Sequence, residues 1–417
     1  MKIKSIGLVA LFLVSTPCLA LELNGIEAAL QAMLSQHPAL TGKRAEVNAK
    51  EFAGDTARAQ RYPTITGQVS AQHTNNYPIG IRARQPLWAF GRIDNGIAYA
   101  DADVVVETAD LLRVKRQLID ETVVAYARVL GVSDRLLVAV DNEIALEKMY
   151  RQIERREKGL LASRADVRLA RARLLQGQAR KSRLESELLV AQNELLALTQ
   201  SPVEARIVVP DAYTALPGVN EVTTLAQEQS AEIRLKKESI ALASADVDRE
   251  KSSPMPTIYL QGDYFYNDQA AGTSDARIGV TVEANLEGMG FAAFGRNNAA
   301  NARLQAVQAG LSNTRNEVKR TVNSLYTNRQ AQQVIVETQM YSVEELTDIL
   351  LSYQRQYEAG KKPWLEVLNM QRELTEQRHQ LMQAKNEWLI YSLKLAALTG
   401  KLDKIAAVKK QQPKELN

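Results

Sequence analysis

The tetrapeptide "AFGR" occurs twice in this chain, at residues 89–92 and again at residues 293–296. Two further motifs recur in the same order around the copies: "YPTI" (62–65) and "MPTI" (255–258) before them, "LLALTQ" (195–200) and "LAALTG" (395–400) after them. One shared tetrapeptide can arise by chance, but three motifs in one order indicate an internal duplication. The sequence therefore predicts two copies of one structural unit.

The first 20 residues predict a secretory signal peptide. Lys2 and Lys4 precede an apolar run over residues 6–14, and Ala20 supplies the small residue at the cleavage site. The alternative is a lipoprotein acylated at Cys18, although the residues before this cysteine match that signal poorly. Because Cys18 is the only cysteine, the mature chain is expected to have no disulfide and no thiolate metal site.

The composition of the mature chain argues against nucleic acid as a partner. Without its leader the chain has 50 basic and 48 acidic residues, a net charge of +2. Such a balance gives no electrostatic basis for binding a polyanion. No later segment approaches the ~18 apolar residues of a membrane helix. We therefore expect any membrane-crossing part to consist of strands.

Each half contains three segments that predict helices. They cover 39–61, 94–157 and 165–199 in the first half, and 231–252, 297–358 and 365–399 in the second. Apolar residues repeat every seven positions in the last segment of each half, and this predicts coiled-coil packing. The segment 94–157 has a similar row that includes Leu130, Leu137 and Ile144. The two shorter helices together match the longer one, which predicts a rod roughly 90–100 Å long in which they stack end to end alongside it.

Between the helices, apolar and polar residues alternate with a period of two, which predicts strands. The predicted strands are 64–72, 79–85, 258–266 and 277–286, with a polar loop at 267–276. A soluble sheet with one wet face would show the same alternation. Export and the equivalent positions of the two hairpins favour transmembrane strands instead. Since four strands cannot close a barrel and lipid does not tolerate open edges, we expect pairing between subunits, with three copies supplying twelve strands.

The "AFGR" motifs are predicted to mark the turn from each strand pair into the following long helix. Gly91 and Gly295 would permit a tight turn with positive φ. The candidates for the N-cap are Asp94 or Asn95 in the first copy, and Asn297 or Asn298 in the second.

Taken together, the duplicated order of helix, strand pair, "AFGR" and long helical hairpin resembles the TolC-like outer-membrane efflux protein family. The pieces most similar to that family are "QPLWAFGR" (85–92), "YEAG" (357–360) and the helix endings "ALTQ" and "ALTG". The resemblance covers essentially the whole mature chain. It implies a mixed α+β membrane protein, in which long helical hairpins form a periplasmic α-barrel and each protomer gives four strands to a trimeric, twelve-stranded outer-membrane β-barrel.

The resemblance also implies a function and partners. The protein would be a passive exit channel for efflux or type I secretion, a homotrimer embedded in outer-membrane lipid. It would work with a periplasmic adaptor (membrane fusion) protein and an inner-membrane transporter, and it would need no cofactor. The expected organisation is a signal peptide (1–20), a first repeat (21–200), an equatorial linker (201–220), a second repeat (221–400) and a basic tail (401–417).

Functional residues are expected at the two helical tips. By resemblance, Glu366 and Asn369 line the periplasmic entrance, and Tyr357 and Lys362 hold it shut; Asp166 takes a related place on the first tip. Carboxylates from three subunits would attract cations. The alternative is that Glu366 is an ordinary acid at a helix start, stabilised by the helix dipole.

The turns themselves match the family's sites of adaptor contact. Gly159 and Leu160 occupy the first turn, and Gly360 and Lys361 the second. Glycine at a tip leaves the backbone accessible to a partner. We therefore expect the adaptor to bind there.

Nothing in the sequence predicts catalysis or a metal site. The three histidines, His37, His73 and His379, lie in different elements, and the glycines of "GMGFAAFG" (288–295) lack the spacing of a phosphate-binding loop. The competing function is a periplasmic coiled-coil adaptor or structural rod. An adaptor normally has one helical hairpin beside β-rich domains, whereas this sequence predicts two hairpins with strands between them.

Overall fold

The computed structural model describes residues 25–69, 79–203, 209–267, 273–285 and 287–403. The predicted signal peptide with Cys18, His73 and all but the first three residues of the basic tail lie outside these ranges. So does part of the linker.

The elements of the first half recur in the second. The first half contains α1 (Ile26–Gln36), α2 (Pro38–Ala59), β1 (Thr64–Val69), β2 (Ile79–Trp88), α3 (Arg92–Lys158) and α4 (Arg164–Thr199). After the short helix α5 (Asp211–Thr214), the second half contains α6 (Val219–Gln229), α7 (Ala231–Ser252), β3 (Thr257–Asn267), β4 (Thr273–Glu283), α8 (Phe291–Glu358) and α9 (Trp364–Leu398). The four main helices have 11, 22, 67 and 36 residues in the first half, and 11, 22, 68 and 35 in the second. The duplicated order predicted from the motifs is therefore present.

The two shorter helices of each half lie along the longer one, as predicted. Helix α2 follows the first third of α3, where Lys50 pairs with Asp103 at 2.7 Å and Arg61 with Asp94 at 2.6 Å. Helix α4 follows the remainder, where Lys181 pairs with Glu143 at 3.0 Å. At 1.5 Å per residue, α3 is about 100 Å long. None of the helices in the described part of the chain has the length and apolar composition needed to cross a membrane.

The helices pack in a fixed lateral order. Near the sheet the order is α2, α3, α7, α8; near the tips it is α4, α3, α9, α8. Three apolar cores hold them together: one beneath α1 with Tyr126 and Leu393, one at the tips with Ile153 and Leu368, and one beneath α6 with Val322. The cores lie at the middle and at the tips, so the tips are packed rather than frayed ends.

The predicted seam is correct for α4 and α9 and wrong for part of α3. Ala170, Leu184, Val367 and Leu381 are buried as expected. Leu137 and Ile144, by contrast, are 56% and 61% exposed. The reason is that α3 contacts α4 and α9 on other faces, and no described element covers these two side chains within one copy.

The four strands form one antiparallel sheet in the order β1-β2-β3-β4. Ile65 lies opposite Ala83, Ile81 opposite Tyr264, and Leu260 opposite Val280. Residues directly opposite share a face, so the predicted apolar residues form one continuous face. That face is open, and Ile278 is 84% exposed. The other face is polar and includes Arg82 paired with Asp263 at 2.5 Å and Arg84 paired with Glu283 at 3.1 Å.

The ends of β2 and β4 differ from the predicted ones, since β2 continues to Trp88 and β4 ends at Glu283. The predicted loop 267–276 is too long, because β4 already begins at Thr273 and pairs there with Asn267. Polar residues at the end of a hairpin can continue the ladder, since backbone groups make its hydrogen bonds. In the described part of the chain, the outer edges of β1 and β4 pair with no other strand.

The turn into the first long helix is as predicted, and the turn into the second is not. Phe90 and Gly91 have φ of 48° and 86°, and α3 begins directly after them. In the second half, positive φ falls on Met289 and Gly290, at 57° and 91°. Gly295 lies inside α8. The additional residues "EGMG" (287–290) supply the turn earlier, so the second "AFGR" continues the helix.

The predicted side-chain caps are also wrong. Gly91 and Gly290 occupy the N-cap positions, with no capping hydrogen bond from a side chain. The candidates Asp94, Asn95, Asn297 and Asn298 therefore lie within the helices. Asn95 instead donates to the backbone oxygen of Asp248 at 3.0 Å, which ties α3 to α7.

The described part of the linker is held firmly against the helices. Arg329 of α8 donates to the backbone oxygen of Thr214 at 3.0 Å, and Lys401 donates to that of Ala215 at 2.7 Å. The Tyr213 hydroxyl donates to Glu27 at 2.6 Å, and burial raises the pKa of Tyr213 to about 12. The linker therefore joins α1, α8 and the end of α9.

Candidate functional site at the helical tips

The first tip is a tight turn between α3 and α4. Leu160 adopts a left-handed conformation (φ 61°), and the Leu161 N–H donates to the Arg156 backbone oxygen at 2.8 Å. A left-handed residue with a side chain is strained by about 1 kcal/mol or more. The Leu160 side chain is nevertheless 93% exposed. The strain is therefore not offset by packing within the chain.

Asp166 is engaged in the start of α4. Its N–H donates to the Ser163 hydroxyl oxygen at 3.1 Å, and its carboxylate accepts from the Ser163 N–H at 3.3 Å. This reciprocal pair is a capping box. The spacing S-x-x-D was visible in the sequence, but this role was not assigned from it.

The second tip has the same shape with a different residue at the strained position. Gly360 has φ 73°, and the Lys361 N–H donates to the Gln356 backbone oxygen at 2.8 Å. Pro363 then precedes α9. Gly360 corresponds to Leu160, so of the two turns only the first presents an apolar side chain at this position.

Lys362 and Glu366 form a pair within one tip. The Lys362 ammonium hydrogen-bonds to the Glu366 carboxylate and lies 3.7 Å from the ring centroid of Tyr353 on α8. The hydrogen bond to Glu366 raises the pKa of Lys362. The carboxylate expected to face the entrance is thus paired by its own chain. Asn369 lies one turn further along α9 and is half-buried.

Tyr357 joins the two hairpins through its ring. Its ring centroid lies 4.8 Å from that of Trp364, and the Arg156 guanidinium of α3 lies 4.5 Å from the Tyr357 centroid. Tyr357 is only 8% exposed. A cation over an aromatic face is attracted by the ring electrons, so the Arg156–Tyr357–Trp364 stack connects α3 to α8 and α9.

Sequence reasoning missed Arg156 and Trp364 as members of this stack. Arg156 lies in the charged run "ERREK" (154–158), which has the appearance of a solvated helix end. The signal that the sequence offered for this stack was the aromatic pair Tyr357 and Trp364, one residue on each side of the turn at Gly360.

The two tips together are basic. Residues 154–168 and 355–366 contain eight basic and five acidic side chains. Glu366 therefore lies among an excess of positive charge.

The two histidines in the described part of the chain, His37 and His379, take part in helix capping and in packing. The His37 ring nitrogen accepts from the Ala39 N–H at 3.2 Å at the start of α2. His379 is buried on α9, and this burial lowers its pKa to about 4. Within the described ranges, no group of three or more His, Cys, Asp or Glu is arranged to hold a metal ion.

Comparisons with known proteins agree with this architecture. The family model described as "outer membrane efflux protein" matches residues 29–200 and 222–401. The chain is 21% identical over 412 residues to the outer membrane efflux protein BepC of Brucella suis, covering 90% of this chain and 85% of BepC. It is 24% identical over 374 residues to the proteases secretion protein PrtF of Dickeya chrysanthemi, covering 82% and 77%.

A solved structure shares the fold. The outer-membrane channel OprN superposes with a TM-score of 0.75 at 20% identity, covering 90% of this chain and 89% of OprN. The family match includes most of both halves of the chain. The chain is therefore a member of the outer membrane efflux protein family, as its TolC-like motifs predicted, and it resides in the outer membrane with a large periplasmic part.

Proposed function

We propose that the chain assembles as a homotrimer and forms a passive exit duct for efflux or type I secretion. The observation that carries this proposal is the sheet. Its apolar face is open, and the outer edges of β1 and β4 have no partner among the described strands. Unpaired strand edges are not tolerated in lipid. If β1 of one copy pairs with β4 of the next, three copies close a barrel of twelve strands.

The helical layer supports the same closure. In the order α4, α3, α9, α8, helices α4 and α8 are the outermost; at the middle of the molecule α4 also contacts the short helix α1, and α8 the short helix α6. Both helices expose apolar side chains, including Leu175, Leu189, Val334 and Tyr341. If the flank of α8 packs against α4 of the next copy, the helices form a ring that continues the barrel.

The tips are the proposed entrance. Glu366, Asn369 and Asp166 are the polar side chains assigned to it, and Tyr357 and Lys362 hold it narrow. The contacts above support a role for Tyr357 between hairpins. Lys362, by contrast, contacts only its own hairpin in the described chain, where it pairs with Glu366.

Export through such a duct needs partners. A periplasmic adaptor docks at Gly159, Leu160, Gly360 and Lys361, and an inner-membrane transporter supplies the energy. The strained, exposed Leu160 supports docking at the first tip. PrtF is named for protease secretion and BepC for efflux, and the cargo of this chain is one of these two broad classes.

The mass of the detergent-solubilised protein tests the assembly. We expect native mass spectrometry in a mild detergent to show three copies. A stable monomer that needs no detergent would instead favour the competing function, a soluble adaptor or rod.

A further inference from the structure

A cavity of about 440 Å³ lies beneath the linker at the middle of the molecule. It is bounded by α3 of the first hairpin, α8 and α9 of the second, and the linker around α5. Its volume falls in the range of small-molecule sites, which are mostly apolar with a few polar groups. Leu130, Val336, Trp388 and Leu389 supply apolar walls. None of the tip residues described above borders this cavity.

The charged side chains that line the cavity are mostly acidic. Asp134, Asp211 and Glu337 contribute carboxylates, and Lys385 contributes one ammonium group. Asp134 forms no hydrogen bond or ion pair with any described residue, and the opposite charge that acts on its carboxyl is that of Lys385. Burial raises the pKa of the Asp134 carboxyl, and the charge of Lys385 opposes that effect. A partly desolvated carboxylate without a close partner favours a cation.

Two further lining residues have unsatisfied polar atoms. Asn386 Oδ1 and Trp388 Nε1 are buried and have no hydrogen-bond partner among the described residues. Buried polar atoms are normally paired, and those that are not call for an explanation. The Asn386 side chain packs against Gly131. A Cβ at position 131 would lie 2.2 Å from the Asn386 side chain, so only glycine leaves room for it. The absence of a side chain at Gly131 thus allows Asn386 to line the cavity.

From the apolar walls and the excess of carboxylates over ammonium groups in the lining, we propose that this cavity binds an amphipathic organic cation. The apolar body of such a ligand packs against Leu130, Val336 and Leu389. Its charged nitrogen pairs with Asp134. The Arg329 guanidinium already lies 5.2 Å from the centroid of the Trp388 ring, so Trp388 contributes an apolar wall and not a cation–π partner. The ligand touches both hairpins and the linker, so its binding is coupled to any movement of one hairpin against the other.

Isothermal titration calorimetry with two probes of similar shape and opposite charge tests the site. The probes are benzyltrimethylammonium and phenylmethanesulfonate, titrated into the full-length mature protein in detergent. We expect saturable binding of the cation only. Equal binding of the two probes, or no saturable binding of the cation, would overturn the proposal.

Variants locate the site within the molecule. Asp134→Asn should weaken cation binding on the order of tenfold, as expected for loss of a charged partner, and Val336→Phe should abolish binding by filling the cavity. The matched control is Asp141→Asn, seven residues further along α3 and outside this cavity, which should bind normally. Thermal unfolding followed by circular dichroism confirms that each variant is folded. Normal binding by folded Asp134→Asn and Val336→Phe would refute the site.

Discussion

Tyr357 shows how one side chain can connect two hairpins without using its hydroxyl group. Its ring lies between Trp364 and the Arg156 guanidinium, 4.8 Å and 4.5 Å from the respective group. A cation–π contact contributes about 0.5–2 kcal/mol, depending on burial. Both contacts depend on the aromatic face. The phenol oxygen takes part in neither of them.

We predict that Tyr357→Phe leaves the open fraction of the proposed entrance unchanged and that Tyr357→Leu raises it. Phenylalanine keeps the ring and leucine removes it, at a loss of about 1–2 kcal/mol of contact energy. Arg156→Gln should resemble Tyr357→Leu. Single-channel recording in planar bilayers measures the open fraction. A Tyr357→Phe channel as open as Tyr357→Leu would show that the hydroxyl is the essential group.

The Lys362–Glu366 pair predicts an unusual pattern of ion selectivity. In the proposed trimer, three copies of the pair would have no net charge at the entrance. Glu366→Gln should therefore shift the reversal potential in a salt gradient towards anion preference, and Lys362→Ala towards cation preference. If Glu366→Gln leaves the reversal potential unchanged, this carboxylate does not face the pore.

The pH dependence of this pair follows from the raised pKa of Lys362. A lysine whose pKa rises on pairing contributes its interaction below its ordinary pKa of 10.5 and loses it as pH rises through the higher folded value. We therefore expect selectivity to stay constant from about pH 6 to 9. Recordings that change steadily over this interval would contradict the pairing.

At the scale of elements, the long helices and strands could be predicted because their apolar periods extend over many residues. The ends of the elements could not. The turn from β4 into α8 was predicted at Gly295 and lies at Gly290, because the additional residues 287–290 supply two glycines. The repeated "AFGR" cannot indicate which glycine forms the turn. Helices α1 and α6 were also missed, since each is only 11 residues long. Leu137 and Ile144 fit the seam by period, but which face of α3 meets α9 depends on the packing of the whole chain.

Two glycine substitutions test the corrected position of the turn from β4 into α8. Gly290→Ala should destabilise the protein by about 1 kcal/mol, because alanine at φ 91° is strained. Gly295→Ala should instead stabilise it by about 0.5–1 kcal/mol, because alanine is favoured inside a helix. Neither new methyl group meets an atom within 4 Å. Denaturant unfolding of the two variants measures their free energies of unfolding. If Gly295→Ala is the less stable variant, the turn lies at Gly295 and not at Gly290.

At the scale of the whole molecule, the tips and the sheet lie at opposite ends of helices about 100 Å long. The tip residues were anticipated by resemblance alone, whereas their contacts follow from the packing of the two hairpins and could not be predicted from the sequence. In the proposed assembly, the basic tips and the exposed Leu160 lie at the end that meets a periplasmic partner, and the apolar face of the sheet lies at the end that meets lipid.

Docking at the tip is tested with a matched pair of substitutions at position 160. Leu160→Gly should keep the left-handed turn and relieve its strain, yet reduce export at least several-fold if the side chain binds the adaptor. Leu160→Met keeps an apolar side chain and should export nearly normally. Export in cells is compared at equal amounts of assembled protein. Full export by Leu160→Gly would mean that the leucine is not part of the contact.

The central claim is that β1 of one copy pairs with β4 of the next, and disulfide crosslinking tests it directly. The mature chain expected after removal of residues 1–20 has no cysteine, so Thr66→Cys on β1 can be combined in turn with Arg277→Cys, Gly279→Cys and Thr281→Cys on β4. We predict that one of these combinations gives a covalent trimer on denaturing gels after oxidation. Each single variant, and Thr66→Cys combined with Gln261→Cys on the inner strand β3, should give no trimer. If all three edge combinations remain monomeric, or if the β3 combination crosslinks as well, the barrel is not closed between β1 and β4 of neighbouring copies.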